Sequence, residues 1–353
     1  MSISVLNGDL LAQDVDALVN TVNTVGVMGK GIALQFKRAW PEMFTAYAAA
    51  CARGGVQPGR MHVWETGALT GPRFIVNFPT KRHWKDRSRI EDVRSGLTDL
   101  VRVIDELGIT SIAVPPLGCG NGGLAWNEVE PLITSALGPV ADTVDVRVFA
   151  PAGAPPAAEQ VRRERAPQLT PGRAALLALM SFYEQLTFEP PTLVEVQKLA
   201  YFLQNAGEPL RLHFVQHRYG PYADDLRKSL RAMEGHYISG FGDGSARVDE
   251  AEAIQVRPET AAVLADYLAE HPETERRIHD VLTAIEGFES TYGLELLATV
   301  HWVLQHDEAA ATSWGDTHTK VRAWSPRKAS LFTAPHVETA WHAVTERHLV
   351  AAG

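Results

Sequence analysis

The sequence predicts an α/β domain, a mixed sheet with helices on both faces, followed by a mainly α second domain of winged-helix-like type. Three observations support this prediction. Short apolar runs of strand length alternate with segments of helix length through residues 1–151. Residues 152–172 are rich in Pro, Ala, Arg and Glu and lack apolar periodicity, as a linker does. From 173 to 353, apolar residues recur mainly at helical spacing.

Six strands are expected in the first domain, together with one helix whose ends can be assigned. Between residues 90 and 107, apolar residues recur every three or four positions and form one helix face. Ser88 and Glu91 match a capping box at its start, and Gly108 fits the position just past its end. The predicted strands are Ile3–Leu6, Ala17–Asn20, Met61–Trp64, Phe74–Phe78, Ser111–Val114 and Val144–Phe149.

The second domain is expected to contain six helices and two strands. In the fifth helix, the apolar residues from Ile278 to Phe288 lie on one stripe. The predicted strands lie around Leu210–His217 and Tyr237–Val248. The predicted helices are Ala174–Glu184, Leu193–Leu203, Tyr222–Met233, Ala261–Ala269, Arg276–Phe288 and Leu294–Gln305.

Composition and charge narrow the class of protein. With 45% hydrophobic and 21% charged residues, the chain is typical of a globular protein. Residues 167–353 by themselves account for the net charge of −9, so the second domain is not expected to bind nucleic acid. No run approaches the ~20 apolar residues of a membrane span, and the first residues lack a signal-peptide pattern. The two cysteines, Cys51 and Cys119, have neither disulfide nor metal-site spacing, which favours the cytoplasm.

Three loops of the first domain follow predicted strand ends, where ligands bind in open α/β sheets. The first leads from Asn20 and Asn23 into the glycine-rich turn 26–31. The second contains Lys81, and the third is the glycine-rich run 117–123. Glycines at strand-to-helix junctions let backbone N–H groups approach the oxygens of a pyrophosphate, so these loops predict a phosphate-containing ligand.

Several motifs, in this order, resemble those of a macrodomain. They are NGDLL at 7–11, VDALVNTVN at 15–23 and PPLGCG at 115–120, and the resemblance covers about residues 1–150. Within that superfamily, NTVNTVGVMGKGIALQF at 20–36 resembles the DarG antitoxins, which are similar to the terminal ADP-ribose protein glycohydrolases. The resemblance implies removal of ADP-ribose from thymidine bases in DNA, which reverses the action of a DNA ADP-ribosyltransferase toxin.

The resemblance also implies roles for individual residues. Asp9 would bind the adenine amino group, Asn23 the distal ribose and the glycine loops the phosphates, with Phe149 a candidate for packing against adenine. The alternative for Asn20 and Asn23 is that they cap turns, but two asparagines that lead into a glycine loop favour a ligand-binding role. Without the resemblance, Asp9 is an ordinary turn residue, and Cys119, which has no matched histidine base, is interpreted as a packing residue. The implied ligand-binding residues are Asp9, Leu10, Asn20, Asn23, Gly29, Gly31, Leu117, Gly118, Cys119, Gly120, Asn121, Gly122 and Phe149.

Lys81 matches the catalytic lysine implied by the resemblance. A lysine just after a strand is usually a solvated surface residue. As a neutral amine it can instead attack the anomeric carbon of the distal ribose, provided that burial or nearby cations lower its pKa from about 10.4. The protein hydrolases carry a catalytic Asp where this chain has Gly122, which leaves open what replaces that acid.

Residues 81–89 form a dense basic segment with an aromatic residue inside it. One interpretation is a solvated loop with Trp84 packed into the core. The other is a DNA-contacting rim, in which a base stacks on Trp84 while phosphates meet Arg82, Lys85 and Arg87. The proximity of Lys81 favours the second interpretation.

In the second domain, LVEVQKLAYFL at 193–203 and RYGPY at 218–222 resemble the SocA-like antitoxin domain family, whose members bind partner proteins. An acidic domain is suited to a toxin whose active site accepts DNA, because its carboxylates can occupy a phosphate-binding groove. The alternative is that the acidic surface only provides solubility. His213 and His217 are interpreted as structural or exposed.

Together, the residues and the resemblances predict an ADP-ribosyl-thymidine glycohydrolase joined to a toxin-binding domain, without a metal, cofactor or membrane association. One alternative is a non-catalytic ADP-ribose reader attached to an interaction module. Another is a hydrolase of O-acetyl-ADP-ribose or of ADP-ribosylated protein carboxylates. Gly122 favours the reader, whereas Lys81 and its basic surroundings favour the enzyme.

Overall fold

The chain folds into two units, unit 1 (Met1–Arg165) and unit 2 (Ala166–Gly353). Among the residues that the structure describes, no helix is both long enough and apolar enough to cross a membrane. The computed structural model describes residues 3–68, 70–151, 163–244, 252–347 and 349.

Unit 1 is built on a six-stranded mixed sheet. The strands are β1 (Ile3–Leu6), β2 (Ala17–Asn23), β3 (His62–Glu65), β4 (Phe74–Lys81), β5 (Ser111–Val114) and β6 (Asp145–Phe149). Their order in the sheet is β1-β6-β5-β2-β4-β3. Only β3 runs antiparallel to its neighbour, so the other five strands end at one common edge.

Helices cover both faces of this sheet. The helices of unit 1 are α1 (Gly31–Ala39), α2 (Pro41–Ala52), α3 (Ile90–Leu107) and α4 (Trp126–Leu137), with a short 3-10 turn at Gly138–Val140. Because side chains alternate along a strand, Leu18 and Ile75 pack towards α1 and α2, whereas Val19 and Val76 pack towards α3 and α4. The predicted α/β architecture is confirmed, and its strands are buried on both faces, as expected for a largely parallel sheet.

Two strands run further than their apolar runs predicted. The expected ends were Asn20 and Phe78, but β2 continues to Asn23 and β4 to Lys81. These extensions pair with each other through an irregularity after Val22, which places Asn23 opposite Lys81. Pairing between the two strands therefore brings together residues that are far apart in the sequence.

The helix predicted over residues 90–107 is present as α3, but its predicted capping box is wrong. The residue before the helix is Arg89, and no side chain caps its first turn. The Ser88 backbone N–H donates instead to the Gly122 carbonyl at 3.0 Å, which turns Ser88 towards the second glycine loop. At the other end, Gly108 has the left-handed conformation (φ 59°) that its predicted position requires.

Unit 2 is mainly helical, as predicted. Its strands form two short antiparallel pairs, β7 (Val215–His217) with β8 (Gly220–Tyr222) and β9 (Ile238–Ser239) with β10 (Gln255–Val256). Its helices are α5 (Pro171–Thr187), α6 (Leu193–Asn205), α7 (Asp224–Met233), α8 (Ala261–Glu270), α9 (Pro272–Ala284), α10 (Thr291–His306), α11 (Glu308–Thr312), α12 (Trp314–Trp324), α13 (Pro326–Leu331) and α14 (Ala334–Glu346), with a 3-10 turn at Pro258–Thr260. Every residue of α6 from Leu193 to Leu203 is buried, so this helix runs through the core of the unit.

The observed helices and strands of unit 2 differ from the predicted ones in their ends and in their number. Helix α9 runs from Pro272 to Ala284, so it both begins and ends four residues earlier than the predicted helix Arg276–Phe288. Helices α11 to α14 were not predicted. Of these, α11 and α13 are short, and α12 follows α11 directly at the capping residue Ser313. The strand predicted around Leu210–His217 is reduced to Val215–His217. The strand predicted around Tyr237–Val248 is reduced to Ile238–Ser239, and residues 245–248 lie outside the described part of the chain.

The expected linker, residues 152–172, falls partly outside the described residues, which omit 152–162. The backbone N–H groups of Arg163 and Glu164 donate to the Arg38 carbonyl at 2.9 and 3.1 Å, and the Glu164 carboxylate pairs with the Arg38 guanidinium at 3.3 Å. Pro171 already begins α5. The end of the expected linker is therefore structured on both sides of the unit boundary.

Candidate active site

The candidate site lies at the edge of the sheet where the five parallel strands end. The loop after β1 carries Asp9, the loop after β2 enters α1 at Gly31, and β4 ends at Lys81. The loop after β5 is the second glycine-rich run, 117–123. The fold therefore brings the three loops singled out in the sequence to one edge.

Asn23 orders the first glycine loop. Its side-chain carbonyl accepts hydrogen bonds from the backbone N–H groups of Val25 and Val27 at 3.0 and 3.3 Å. Its side-chain amide donates to the Val27 carbonyl at 2.5 Å, and the Tyr47 hydroxyl donates to the Asn23 backbone carbonyl at 2.5 Å. The side chain thus caps the turn, and Val25 and Val27 remain exposed at its tip.

Asn20 lies beneath this loop and is fully buried. Its amide donates to the Asn77 side-chain carbonyl at 2.9 Å, and the Asn77 amide lies 3.2 Å from His62 Nδ1. Burial lowers the pKa of His62, which favours the neutral form of its ring. Among the described residues, the Asn20 side-chain oxygen has no hydrogen-bond partner. Neither Asn77 nor His62 was singled out in the sequence, because both occur within ordinary strand patterns.

Lys81 joins the end of β4 to the second glycine loop. Its amine donates a hydrogen bond to the backbone carbonyl of Asn121. Burial lowers the lysine pKa, and the nearby Asp86 carboxylate opposes that decrease. The next residue, Arg82, accepts a hydrogen bond at its carbonyl from the Thr24 hydroxyl at 2.5 Å, which ties the first glycine loop to the same strand end.

The second glycine loop is folded by its own backbone. The N–H groups of Cys119, Gly123 and Leu124 donate to the carbonyls of Pro116, Gly120 and Gly118, each at 3.0 Å. The two glycine loops approach closely, since a Cβ atom added to Gly31 would lie 3.2 Å from the Asn121 side-chain nitrogen. We call the space between the two glycine loops, residues 26–31 and 117–123 beside Lys81, the cleft.

Gly122 has no room for a side chain. A Cβ atom there would lie closer than 3.0 Å to both the Gly118 carbonyl oxygen and the Ser88 hydroxyl. The Ser88 hydroxyl is buried and has no partner among the described residues. Ser88 therefore fills the space that an acidic side chain at 122 would have to cross. The sequence offered no signal for this role, because Ser88 also matches a helix-capping pattern.

The other ligand-binding candidates differ in exposure. Asp9 is partly exposed, and its carboxylate accepts the Leu11 N–H at 2.8 Å. Leu10 and Phe149 are buried in the apolar core beside α1 and α2, so the Phe149 ring does not present an open face for stacking. Burial raises the pKa of Cys119 to about 11, so its thiol stays protonated at neutral pH. Gly29 and Leu117 lie in the two glycine loops, with Leu117 buried.

The basic segment after β4 is open to solvent. Trp84 is 49% exposed, so the interpretation that it packs into the core is wrong. The Lys85 amine lies 4.9 Å from the centre of the Trp84 ring, and the centre of the His83 ring lies 5.3 Å from the same point. Arg82 is ion-paired with Asp92 at 3.0 Å, whereas Arg87 is exposed.

Comparison with known proteins identifies a matching family model and several relatives of this chain. A family model described as the Macro domain matches residues 19–133. The chain is 48% identical to the DNA ADP-ribosyl glycohydrolase of Thermus aquaticus, over 97% of this chain and 92% of that protein. It is 46% identical to the DNA ADP-ribosyl glycohydrolase of Mycobacterium tuberculosis, over 95% of this chain and 96% of that protein. A DNA ADP-ribosyl transferase-DNA ADP-ribosyl glycohydrolase fusion protein of Thermosipho africanus is 35% identical, over 37% of this chain and 38% of its own length.

Proposed function

Since this chain belongs to the DNA ADP-ribosyl glycohydrolase family, we propose that unit 1 hydrolyses the bond between ADP-ribose and a thymidine base in DNA. The observation that carries this proposal is the position of Lys81. Its amine is hydrogen-bonded to the Asn121 carbonyl in the second glycine loop, beside the cleft, and its pKa is lowered by burial. A binding module that only recognises ADP-ribose has no need of a desolvated amine at this point.

ADP-ribose is proposed to bind along the edge of the sheet. The partly exposed Asp9 carboxylate accepts a hydrogen bond from the adenine amino group. The pyrophosphate meets backbone N–H groups of both glycine loops and the N-terminus of α1, whose first turn carries no acidic residue. Asn23 shapes the loop beside the distal ribose, and Asn20 and Phe149 support the cleft from below.

We propose a displacement in two steps. The neutral Lys81 amine attacks the anomeric carbon of the distal ribose, and the thymine nitrogen leaves with the bonding electron pair and takes up a proton. Water then cleaves the lysine adduct, which releases ADP-ribose and restores the amine. Desolvation favours the neutral, nucleophilic form of the lysine, which is the form that the first step requires.

The mechanism does not use an acid in the second glycine loop. Gly122 is enclosed by the Gly118 carbonyl and Ser88, so the catalytic Asp of the protein hydrolases has no space in this loop. Glycine at this position therefore counts less against catalysis than the sequence suggested. The Asn121 carbonyl holds the lysine amine instead.

The basic segment is proposed to hold the DNA around the modified base. Lys85 and Arg87 are exposed and can meet phosphates, and the exposed Trp84 ring offers a stacking surface. Arg82 contributes less, because Asp92 already neutralises its charge. The segment begins next to Lys81, so contacts here place the modified thymidine at the cleft.

Replacement of Lys81 distinguishes a hydrolase from a module that only binds ADP-ribose. Lys81→Ala should reduce release of ADP-ribose from modified DNA by at least about a hundredfold, while affinity for free ADP-ribose changes by less than about threefold, because the amine acts on the transition state. Lys37→Ala, on α1, is the matched control and should leave both unchanged. Turnover within a few fold of the native rate would show that Lys81 is not the nucleophile.

We propose that the whole chain is an antitoxin acting in the cytoplasm, where its DNA substrate lies. Its partner is a DNA ADP-ribosyltransferase, the activity that the Thermosipho africanus fusion protein joins to a glycohydrolase. Unit 2 is proposed to bind this transferase. The net charge of −9 in residues 167–353 supports this, since an acidic surface suits a groove that accepts DNA.

A further inference from the structure

Unit 2 contains a pocket that the proposed function does not use. It has a volume of about 70 Å³, enough for a group of several heavy atoms. Val194 and Lys198 on α6 contribute to its lining, as do three residues of the β7–β8 hairpin, His217, Tyr219 and Tyr222. The two sequence segments that resemble the SocA-like family thus meet at this one cavity.

The walls of the pocket are apolar and aromatic. The His217 ring stacks on the Tyr222 ring with 4.6 Å between their centres. Leu193 and Val194 line the α6 side of the pocket. Arg227 on α7 also borders the pocket and is the second cation in its lining. Such walls suit an apolar stem, whereas the cations suit a negatively charged end.

Lys198 supplies the buried charge. Its side chain is 1% exposed, and its amine donates to the Pro221 carbonyl at 2.7 Å. An ammonium group has three donors, and within the described residues that carbonyl is its only hydrogen-bond acceptor. Burial, together with the nearby Lys328, lowers the pKa of Lys198 to about 7.

The neighbouring carboxylate, Glu295, balances the Lys198 charge only in part. Glu295 accepts hydrogen bonds from Lys328 at 2.8 Å and from Arg327 at 2.5 and 3.1 Å. Both of its oxygens are therefore engaged by other cations. Three cations, Lys198, Lys328 and Arg327, share this one buried carboxylate, so positive charge is in excess here within an otherwise acidic unit. A buried ammonium that shares its counter-charge with two other cations is costly, and a bound anion lowers that cost.

We propose that this pocket binds a carboxylate on a short apolar stem, with Lys198 meeting the carboxylate and the Tyr219 and Tyr222 rings enclosing the stem. A singly charged group fits better than a phosphate, since the cavity is small and only one of its cations is fully buried. The carboxylate can belong to a free small acid or to an acidic side chain of a bound polypeptide. The two sources share the same chemistry at Lys198.

The test uses the full-length protein with butyrate as the probe, observed by saturation-transfer NMR. Butyrate should bind, whereas its neutral analogue butyramide and inorganic phosphate should bind at least tenfold more weakly. Lys198→Met should weaken butyrate binding at least tenfold without lowering the melting temperature, because it removes a buried charge that Glu295 balances only in part. Lys228→Met is the matched control, since Lys228 is exposed on α7 and pairs with Asp225, and it should bind butyrate as the native protein does.

A heptapeptide with blocked ends and one glutamate among leucines distinguishes the two sources. Tighter binding of the peptide than of butyrate assigns the site to a polypeptide partner, and equal or weaker binding assigns it to a small acid. If Lys198→Met does not fold, trace acetic anhydride labelling of the native protein replaces it. Butyrate should then protect Lys198 and not Lys228 from acetylation. Equal binding of butyramide, tighter binding of phosphate, or an unprotected Lys198 would overturn the proposal.

Discussion

At the scale of single residues, the chemistry of unit 1 depends on which form of Lys81 is present. Burial lowers the pKa of this lysine, and Asp86 raises it. The amine is bonded to the Asn121 carbonyl, so the same loop that is proposed to bind phosphate also holds the nucleophile. Small changes of charge or loop geometry around Lys81 should therefore alter the rate more than they alter binding.

Removal of the opposing carboxylate gives a prediction with a definite sign. In Asp86→Asn, the influence that raises the Lys81 pKa is lost, so that pKa falls and more of the amine is neutral at neutral pH. While the pH stays below the pKa, the neutral fraction grows as the pKa falls, and we expect a rate increase of about two- to fivefold at neutral pH. The pH profile of single-turnover release should rise with pH and move to lower pH in the variant. Asp105→Asn, at the far end of α3, serves as the control, and an identical profile in all three proteins would show that Lys81 ionisation does not limit the rate.

Gly122 and Gly120 lie in the same loop but differ in the space available for a side chain. A Cβ atom at Gly122 collides with the Gly118 carbonyl and Ser88, whereas one at Gly120 meets no atom within 4 Å. Gly122→Ala should therefore destabilise unit 1 by about 1–3 kcal/mol, the usual cost of overpacking, and weaken ADP-ribose binding. Gly120→Ala should leave the melting temperature unchanged. Gly122→Asp should lose activity and should not acquire activity towards ADP-ribosylated protein carboxylates, and gain of that activity would contradict the steric argument.

At the scale of elements, the site is assembled where β2, β4 and β5 end. The extension of β2 to Asn23 and of β4 to Lys81 sets the two residues side by side, and the loop after β5 closes over the amine. The basic segment then leads from β4 to α3. Its position is set by Thr24 on one side and by the Arg82–Asp92 ion pair on the other.

The basic segment should distinguish DNA from small substrates. Lys85→Ala combined with Arg87→Ala should raise KM for modified DNA and reduce the slope of log affinity against log salt by about 1.4–1.8, at 0.7–0.9 for each phosphate contact. Arg82→Ala should change the slope less, because Asp92 neutralises Arg82. Hydrolysis of an ADP-ribosyl nucleoside, which lacks flanking phosphates, is the control reaction. An equal loss on both substrates would mean that the segment shapes the cleft and does not bind DNA.

At the scale of the whole molecule, the two units have separate apolar cores, and we propose that they perform different tasks. The strands and helices of unit 1 enclose two clusters, and the helices of unit 2 enclose two others. Charge is divided just as sharply, since the acidic excess lies in residues 167–353. A substrate that is DNA and a partner that binds DNA make opposite electrostatic demands, and separate units can meet both.

The division of tasks can be tested by expressing residues 1–165 and 166–353 separately. The first fragment should release ADP-ribose from DNA but leave the transferase active. The second should bind a catalytically inactive transferase and compete with DNA, with an association rate that falls steeply as salt screens charges beyond a Debye length of about 8–10 Å. Surface-binding kinetics at several salt concentrations measure both properties. Binding by the first fragment alone, or binding by the second without exclusion of DNA, would contradict the proposed role of unit 2.

The sequence by itself determined the α/β class of unit 1, the six strands, the helical nature of unit 2 and the positions of the glycine loops. These features depend on local patterns, such as apolar spacing along a helix or glycine at a strand end, that are readable without knowledge of the partner residues. The family motifs added Lys81 and Asp9 for the same reason, since each motif is a short contiguous run.

Only the tertiary structure decided what these residues contact. Asn23 meets Lys81 because β2 and β4 pair, and Ser88 excludes a side chain at Gly122 because a loop folds back upon it. The charge of Lys198 is balanced only in part because Glu295, almost a hundred residues further along the chain, is already engaged by Lys328. These contacts depend on burial, on strand register and on several cations sharing one counter-charge. All three are set by atoms that are distant in the sequence, so no local sequence pattern predicts them.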